Sequence, residues 1–304
     1  AYLKASPTAA ADLFGAAVAL QGDVLVVGAA GHDGAETNSG AAFVFRRSGT
    51  TWTQEAVLKA STEMTVSFFG TSVALDGDAI VVGAWRDSDG SGDFPGAAYV
   101  FRRSGTSWTQ EARFQPPAIE GGDQFGLSVA MSGDVVAVGA PLEESGSTGI
   151  NGDPSNNAIP GAGAVYLFRR SSGVWSQDAY VKPGHQFSVG MKFGTAVALR
   201  GATLIVGAAS ETGTNSGINP SPVGGSDGSG AAFVFRYKST SWTQEAYLKA
   251  AVIGGGDDFF GLTLAFDGQT LVVGAPREDS NATGVNGDAT DNSAVESGAV
   301  YVFR

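Results

Sequence analysis

Seven residues, Asp87-Ser-Asp89-Gly-Ser91-Gly-Asp93, carry side-chain oxygens at alternate positions and a glycine at the sixth. That spacing lets a loop wrap a calcium ion in oxygen. Asp87 and Asp89 would ligate through carboxylates, Ser91 through its hydroxyl, and Asp93 through carboxylate or backbone. Pro95, at the ninth position, offers no side-chain oxygen, so water or a neighbouring loop would complete the shell. Asp279-Ser-Asn281-Ala-Thr283-Gly284 with Asp288, and Glu144-Ser-Gly146-Ser-Thr148-Gly149 with Asp153, are weaker echoes. The same residue types also simply make turns, and that reading stands beside calcium. Trp85 sits at the root of the first of these loops, where it either stacks on a sugar ring or packs the loop. Trp85, Glu144, Asp153, Asp279, Asn281 and Asp288 therefore form the candidate ligand face.

Catalytic chemistry finds less support. Asp12, Asp123, Asp257 and Asp258 precede a recurring Phe-Gly pair by a few residues. They read as a solvated rim, or as carboxylates that hold a cation or act as a glycosidase pair. His32 and His185 lie in unlike contexts, show no Ser-His-Asp pairing, and read as surface loop residues. With 0 Cys there is no thiolate nucleophile, thiolate metal site or disulfide. No catalytic residue is assigned, and an enzyme is not expected. The net charge of −12 disfavours nucleic acid and anionic membrane, and favours cations or basic partners. No apolar run approaches the ~18 residues of a membrane span. The chain has no initiator Met and reads as a processed or excised piece.

The elements that must position these loops come from an internal repeat. Phe-Gly recurs at Phe14, Phe69, Phe125, Phe193 and Phe260; Val-Gly-Ala at Val27, Val82, Val138, Val206 and Val273; Gly-Ala at Gly40, Gly96, Gly163, Gly230 and Gly298. Four strand-like runs per copy, at periods of 55 to 68 residues, predict propeller blades. In the first strand, Phe14, Ala16, Val18 and Leu20 share a face by period two. Gly-Asp turns lead to a continuously apolar second strand, which predicts burial on both faces. An alternating third strand ends in Arg46-Arg47. A polar outer strand follows, typified by Trp52-Thr-Gln-Glu-Ala-Val-Leu-Lys59, with an Arg–Trp contact across the hairpin. In such a meander the long two–three loops and the four–one connections share one face, where binding residues belong.

The expected fold is all-β, one five-bladed β-propeller over 1–304, with four-stranded antiparallel blades. The blades run approximately over 7–60, 61–116, 117–183, 184–250, and 251–304 plus 1–6. The last copy stops at Arg304 before its outer strand, and Ala1-Tyr-Leu-Lys-Ala5 matches Ala246-Tyr-Leu-Lys-Ala250. The N-terminal strand is thus expected to complete the last blade and close the ring.

The Phe-Gly, Val-Gly-Ala(-Pro) and Gly-Ala-Val-Tyr-Val-Phe elements resemble the FG-GAP repeat family, with Gly139-Ala-Pro141 and Gly274-Ala-Pro276 in full. Ala30, Trp85 and Ala209 replace the proline in the other copies. The chain is similar to integrin alpha heads and looks like the bacterial form found in secreted and surface proteins. The resemblance implies a propeller, an extracellular setting, and adhesion or ligand binding. It also implies calcium in long one–two loops, but here those connections are bare turns such as Ser132-Gly-Asp134, so such sites are not carried over. The expected function is a non-catalytic binding module for a protein or glycan. A building block assembling by packing or strand exchange, and a carbohydrate-active enzyme, are the alternatives.

Overall fold

The computed structural model describes residues 1–88, 90, 93–116, 121–185, 189–225, 228–253 and 256–304. Every regular element in it is a strand. Among the described residues no helix is long and apolar enough to cross a membrane. Five antiparallel meanders follow one another as the blades of a β-propeller. Blade one holds β1 (Phe14–Gln21), β2 (Val24–Ala29), β3 (Ala41–Ser48) and β4 (Thr51–Leu58). Blade two holds β5 (Ser72–Asp76), β6 (Ala79–Ala84), β7 (Ala97–Ser104) and β8 (Ser107–Phe114). Blade three holds β9 (Ser128–Ser132), β10 (Val135–Ala140), β11 (Ala164–Ser171) and β12 (Val174–Val181). Blade four holds β13 (Phe193–Arg200), β14 (Thr203–Ala208), β15 (Ala231–Lys238) and β16 (Ser241–Leu248). Blade five holds β17 (Thr263–Phe266), β18 (Leu271–Ala275) and β19 (Ala299–Phe303).

By its contacts the chain divides into two compact units, Ala1–Val138 with Phe168–Ser176, and Gly139–Leu167 with Gln177–Arg304. In the first, the inner strands β1, β5 and β9 lie side by side in turn; in the second, β13 lies beside β17. The second strands β6, β10 and β14 are buried along their whole length, as their unbroken apolar runs require.

Repeated glycines set the spacing between blades. A Cβ on Gly28 would stand 1.9 Å from the Gly70 carbonyl oxygen, and one on Gly40 would stand 2.0 Å from that of Phe69. Only a residue without a side chain lets the two backbones approach so closely. The contact recurs between Gly83 and Gly126, and between Gly207 and Gly261. Phe69, Phe125, Phe193 and Phe260 are fully buried beside it. Each meets aromatic rings of its own third strand edge-on, as Phe69 does with Tyr99 and Phe101.

Two expectations need correction. The register of β1 on β2 jumps between Phe14 and Ala17, and that of β13 on β14 between Phe193 and Ala196. This bulge at Phe-Gly changes the phase of the strand. Phe14, Ala17 and Ala19 are therefore partly covered, whereas Val18 and Leu20 are exposed. Nor does the N-terminal strand complete the last blade. That sheet is three-stranded, β17-β18-β19, and residues 1–6 hold no strand. Leu3 and Ala5 pack instead on blade one, beside Val27, Ala29 and Phe43. The Gln54 side chain grips Ser6, accepting its N–H at 3.0 Å and donating to its carbonyl at 2.9 Å. Gln110 and Gln244 likewise accept the N–H groups of Ser61 and Gly184. Burial of two apolar side chains and a repeated amide grip hold the segment there.

Candidate functional site

Three residues beyond each Val-Gly-Ala triplet lies a buried polar side chain: His32, Asp87, Glu143, Glu211 or Glu278. The strand has just ended, so the chain turns and drops this side chain under the two–three loop. Asp87 Oδ2 accepts from the Tyr99 hydroxyl and from Arg113 Nη2 at 2.9 Å. Glu143 accepts from the Tyr180 hydroxyl and Lys182 Nζ, each at 2.6 Å. Glu211 accepts from the Tyr247 hydroxyl at 2.9 Å and Lys249 Nζ at 2.6 Å. Burial pushes the Lys249 ammonium below its ordinary value, although Glu211 pulls the other way. In blade five, burial, helped by Glu278 and Asp258, pushes the Tyr301 phenol up to about 12. The sequence reading missed this series, yet the signal is present. An acid after Gly-Ala-x-x accompanies Arg113 or a Tyr-x-Lys in the outer strand, and blade one, with His32 instead, has Val57-Leu-Lys59.

The histidines and rim acids also differ from expectation. His32 is only 8% exposed, edge-on to Phe43 and 3.1 Å from Asp12 Oδ1. His185 is half-buried against Phe233 and Tyr247; that burial lowers its pKa, with Glu211 opposing and Lys249 assisting. Asp12, Asp123 and Asp258 are buried rather than solvated, while Asp257 is exposed. In blade one the cover comes from His32, which bonds Asp12 and packs edge-on against Phe43 of the third strand.

Of the proposed calcium loop, Asp87 is engaged by Arg113, Asp93 is exposed, and Asp89 and Ser91 lie outside the described residues. Among the described residues no three His, Cys, Asp or Glu side chains converge as metal ligands would. Asp23, Asp78 and Asp134, at the one–two turns, face Arg47, Arg103 and Arg170. Asp153 Oδ1 accepts the N–H and hydroxyl of Ser155, and Asp288 Oδ1 those of Thr290. These bonds hold both carboxyls below the ordinary range. Asp279 accepts the Glu296 N–H, Asn281 donates to Ser293, and the Glu144 carbonyl accepts the Ile159 N–H. Each of these residues works within its own loop.

Trp85 has a different setting. With Arg86, Asp93, Phe94, Gly121 and Gly122 it lines a cleft of about 390 Å³. The walls come from the two–three loop of blade two and the connection that follows β8, which therefore share a face here. The Trp85 indole stacks on Phe68, centroids 5.5 Å apart and planes 3° off parallel. The Arg86 guanidinium lies 5.0 Å from the Phe94 ring centre. Two aromatic surfaces, a guanidinium and a carboxylate thus meet in one concavity, which suits stacking on a ring and hydrogen bonding to its substituents.

The outer strands fasten neighbouring blades together. Glu55 on β4 accepts from Trp108 Nε1 at 2.9 Å and Arg103 Nε at 3.1 Å, both on blade two, and from its own Arg46. Glu111 receives Trp175 and Arg170 likewise, and Asp178 receives Trp242. Burial opposes ionisation, but these arginines and indoles hold Glu55 and Glu111 below the ordinary carboxylate value. The expected Arg–Trp hairpin contact is present as Arg47 over Trp52, 5.6 Å from the ring centre.

A family model described as FG-GAP repeat matches residues 1–45, 52–101, 108–168 and 242–303. The later stretches each begin in an outer strand and end in the third strand of the next blade. No curated protein sequence matches the chain.

Proposed function

This chain belongs to the FG-GAP repeat family, and from that premise we propose that it is a non-catalytic, extracellular binding module whose contact site is the cleft around Trp85. The fold is that of a general binding or structural module. The single observation that favours the cleft is its lining: Trp85, Arg86, Asp93 and Phe94 on one loop beside Gly121 and Gly122. A sugar ring fits this chemistry, since the aromatic faces bind its apolar side while Asp93 and Arg86 reach its hydroxyls. A protein ligand would use the same residues with a basic side chain toward Asp93. Calcium is not needed for either, because Arg113 already neutralises Asp87.

Binding to a glycan array, followed by titration of the hits, tests the reading. Trp85→Ala should weaken binding roughly 30-fold or more, as loss of an aromatic anchor does. Affinity untouched by Trp85→Ala would remove the cleft from consideration. Turnover of a polysaccharide would replace the binding module with an enzyme.

A further inference from the structure

The loop that follows β18 carries a pattern with a chemistry of its own. Asp279-Ser-Asn281-Ala-Thr283 places a hydroxyl two residues after an asparagine and a carboxylate two residues before it. Asn-x-Ser/Thr, with any middle residue but proline, is the acceptor pattern for N-linked sugar. The spacing has a chemical reason. A carboxamide nitrogen is a poor nucleophile, because its lone pair is shared with the carbonyl. A hydroxyl two residues on can fold back and help a transferase hold the amide for attack. An acid two residues before gives the transferase a charge by which to seat the segment. No other asparagine of the chain meets even the shorter pattern. Asn219 is followed by Pro220, which fixes the backbone, and the rest have no Ser or Thr two residues on.

The fold presents the acceptor outward. Asn281, Ala282 and Thr283 are exposed, and Asp279 is half-buried at the root of the loop. Ser280 is buried beneath them and sets the bend. Its Oγ donates to the Asp288 carbonyl at 3.0 Å and accepts the Ala282 N–H at 3.0 Å. In blade three Ser145 makes the same bend, on the Asp153 carbonyl and the Ser147 N–H, and Gly146 stands where blade five has Asn281. The bend therefore does not depend on the Asn281 side chain. Blade three also shows what an outer strand covers. It meets the loop at Gly149, Ile150 and Asn151, past the acceptor positions, and Thr148 beside it stays exposed. Exposure at Thr283 thus belongs to the loop, whether or not an outer strand stands next to it. Asn281 Nδ2 donates to Ser293 Oγ at 2.8 Å, and both residues are exposed. Water competes for that bond, so the amide can turn outward without opening the core.

We propose that Asn281 is an acceptor site for an N-linked oligosaccharide. The donor is an oligosaccharide joined through pyrophosphate to a polyprenyl lipid, and the catalyst is an oligosaccharyl transferase. Asn281 Nδ2 bonds to the anomeric carbon of the sugar as the bond from that carbon to the pyrophosphate oxygen breaks. The lipid pyrophosphate leaves, and the proton lost from Nδ2 passes to a base of the transferase. Nothing is oxidised or reduced. In the cell this step rests on the extracellular reading above, since chain and lipid carrier meet on export.

The test uses the folded, purified chain. It is incubated with a solubilised oligosaccharyl transferase that reads an acid two residues upstream, and with a lipid-linked oligosaccharide of known mass. The intact mass should rise by one oligosaccharide, and the modified peptide should contain Asn281. Asn281→Gln, Thr283→Ala and Asp279→Ala should each abolish the gain, and Thr283→Ser should keep it. Asn281→Gln and Thr283→Ala change exposed side chains and should melt with the parent. A free peptide with the sequence of residues 279–283 shows that the transferase is active. The proposal fails if that peptide is modified and the folded chain is not, or if Asn281→Gln still gains mass. Export plays no part in the purified reaction, so either failure strikes the acceptor site and not the extracellular reading. The Trp85 cleft is tested separately by glycan titration.

Discussion

Glu211, Tyr247 and Lys249 show what the buried acids do for single residues. The carboxylate and ammonium are both fully buried and 2.6 Å apart, with Ser229 Oγ as a second acceptor for the lysine at 2.8 Å. Removing one partner strands a charge without water, which costs about 3–5 kcal/mol. Lys249→Met should therefore lower the melting temperature sharply, and Tyr247→Phe, which loses one bond to the carboxylate, should cost less, about 1.5–3 kcal/mol; thermal denaturation of the two variants checks the order. His185 adds a pH dependence. Burial holds its folded pKa below the ordinary 6.5, so the unfolded chain takes up a proton first. Stability is then full above about 6.5 and is lost as pH falls below it. Urea titrations on either side of that value should show the loss, and His185→Gln should flatten it.

At the scale of the element, the outer strand is a fastener. Its Trp, Gln and Glu read in sequence as the polarity of a half-wet edge, but Glu55 and Gln54 each reach a neighbouring segment. Charge-assisted bonds of this kind contribute about 1.5–3 kcal/mol. Glu55→Ala should cost that much. Because Glu55 ionises below its ordinary 4.5 in the fold, its contribution is complete above that value and disappears as pH falls through its lowered folded value. A denaturation series in acid should show a shallower slope for Glu55→Ala than for the parent. The Gly28 contact is harsher, since a methyl group 1.9 Å from a carbonyl oxygen forces the blades apart. Gly28→Ala should cost about 3 kcal/mol or more, whereas Gly49→Ala, whose Cβ meets nothing within 4 Å, should cost only the strain of a positive φ. Comparing the two melting temperatures separates packing from backbone conformation.

For the whole molecule, the repeat decides how the parts add. Blades one and two each grip the next blade through the same glycine contact, the same phenylalanine and the same outer-strand carboxylate, so a variant in one should have its counterpart in the other. Glu111→Ala should accordingly resemble Glu55→Ala in cost, which parallel denaturation would check.

The blade count, the strand order, the buried second strands and the Arg–Trp hairpin contact were legible in the residues. Each depends on near-neighbour chemistry: turn glycines, apolar runs and a period that repeats. The bulge at Phe-Gly was not legible, since alternation counts residues and cannot see that Gly15 adds one out of register. Burial of His32 and Asp12, and the commitment of Asp87 to Arg113, came only with the fold. Polar residues near a turn look solvated until an aromatic third strand is laid beside them. The resting place of Ala1–Ser6 was likewise decided in three dimensions. Its sequence named the strand it resembles, but the burial of Leu3 and Ala5 and the grip of Gln54 determined where it lies.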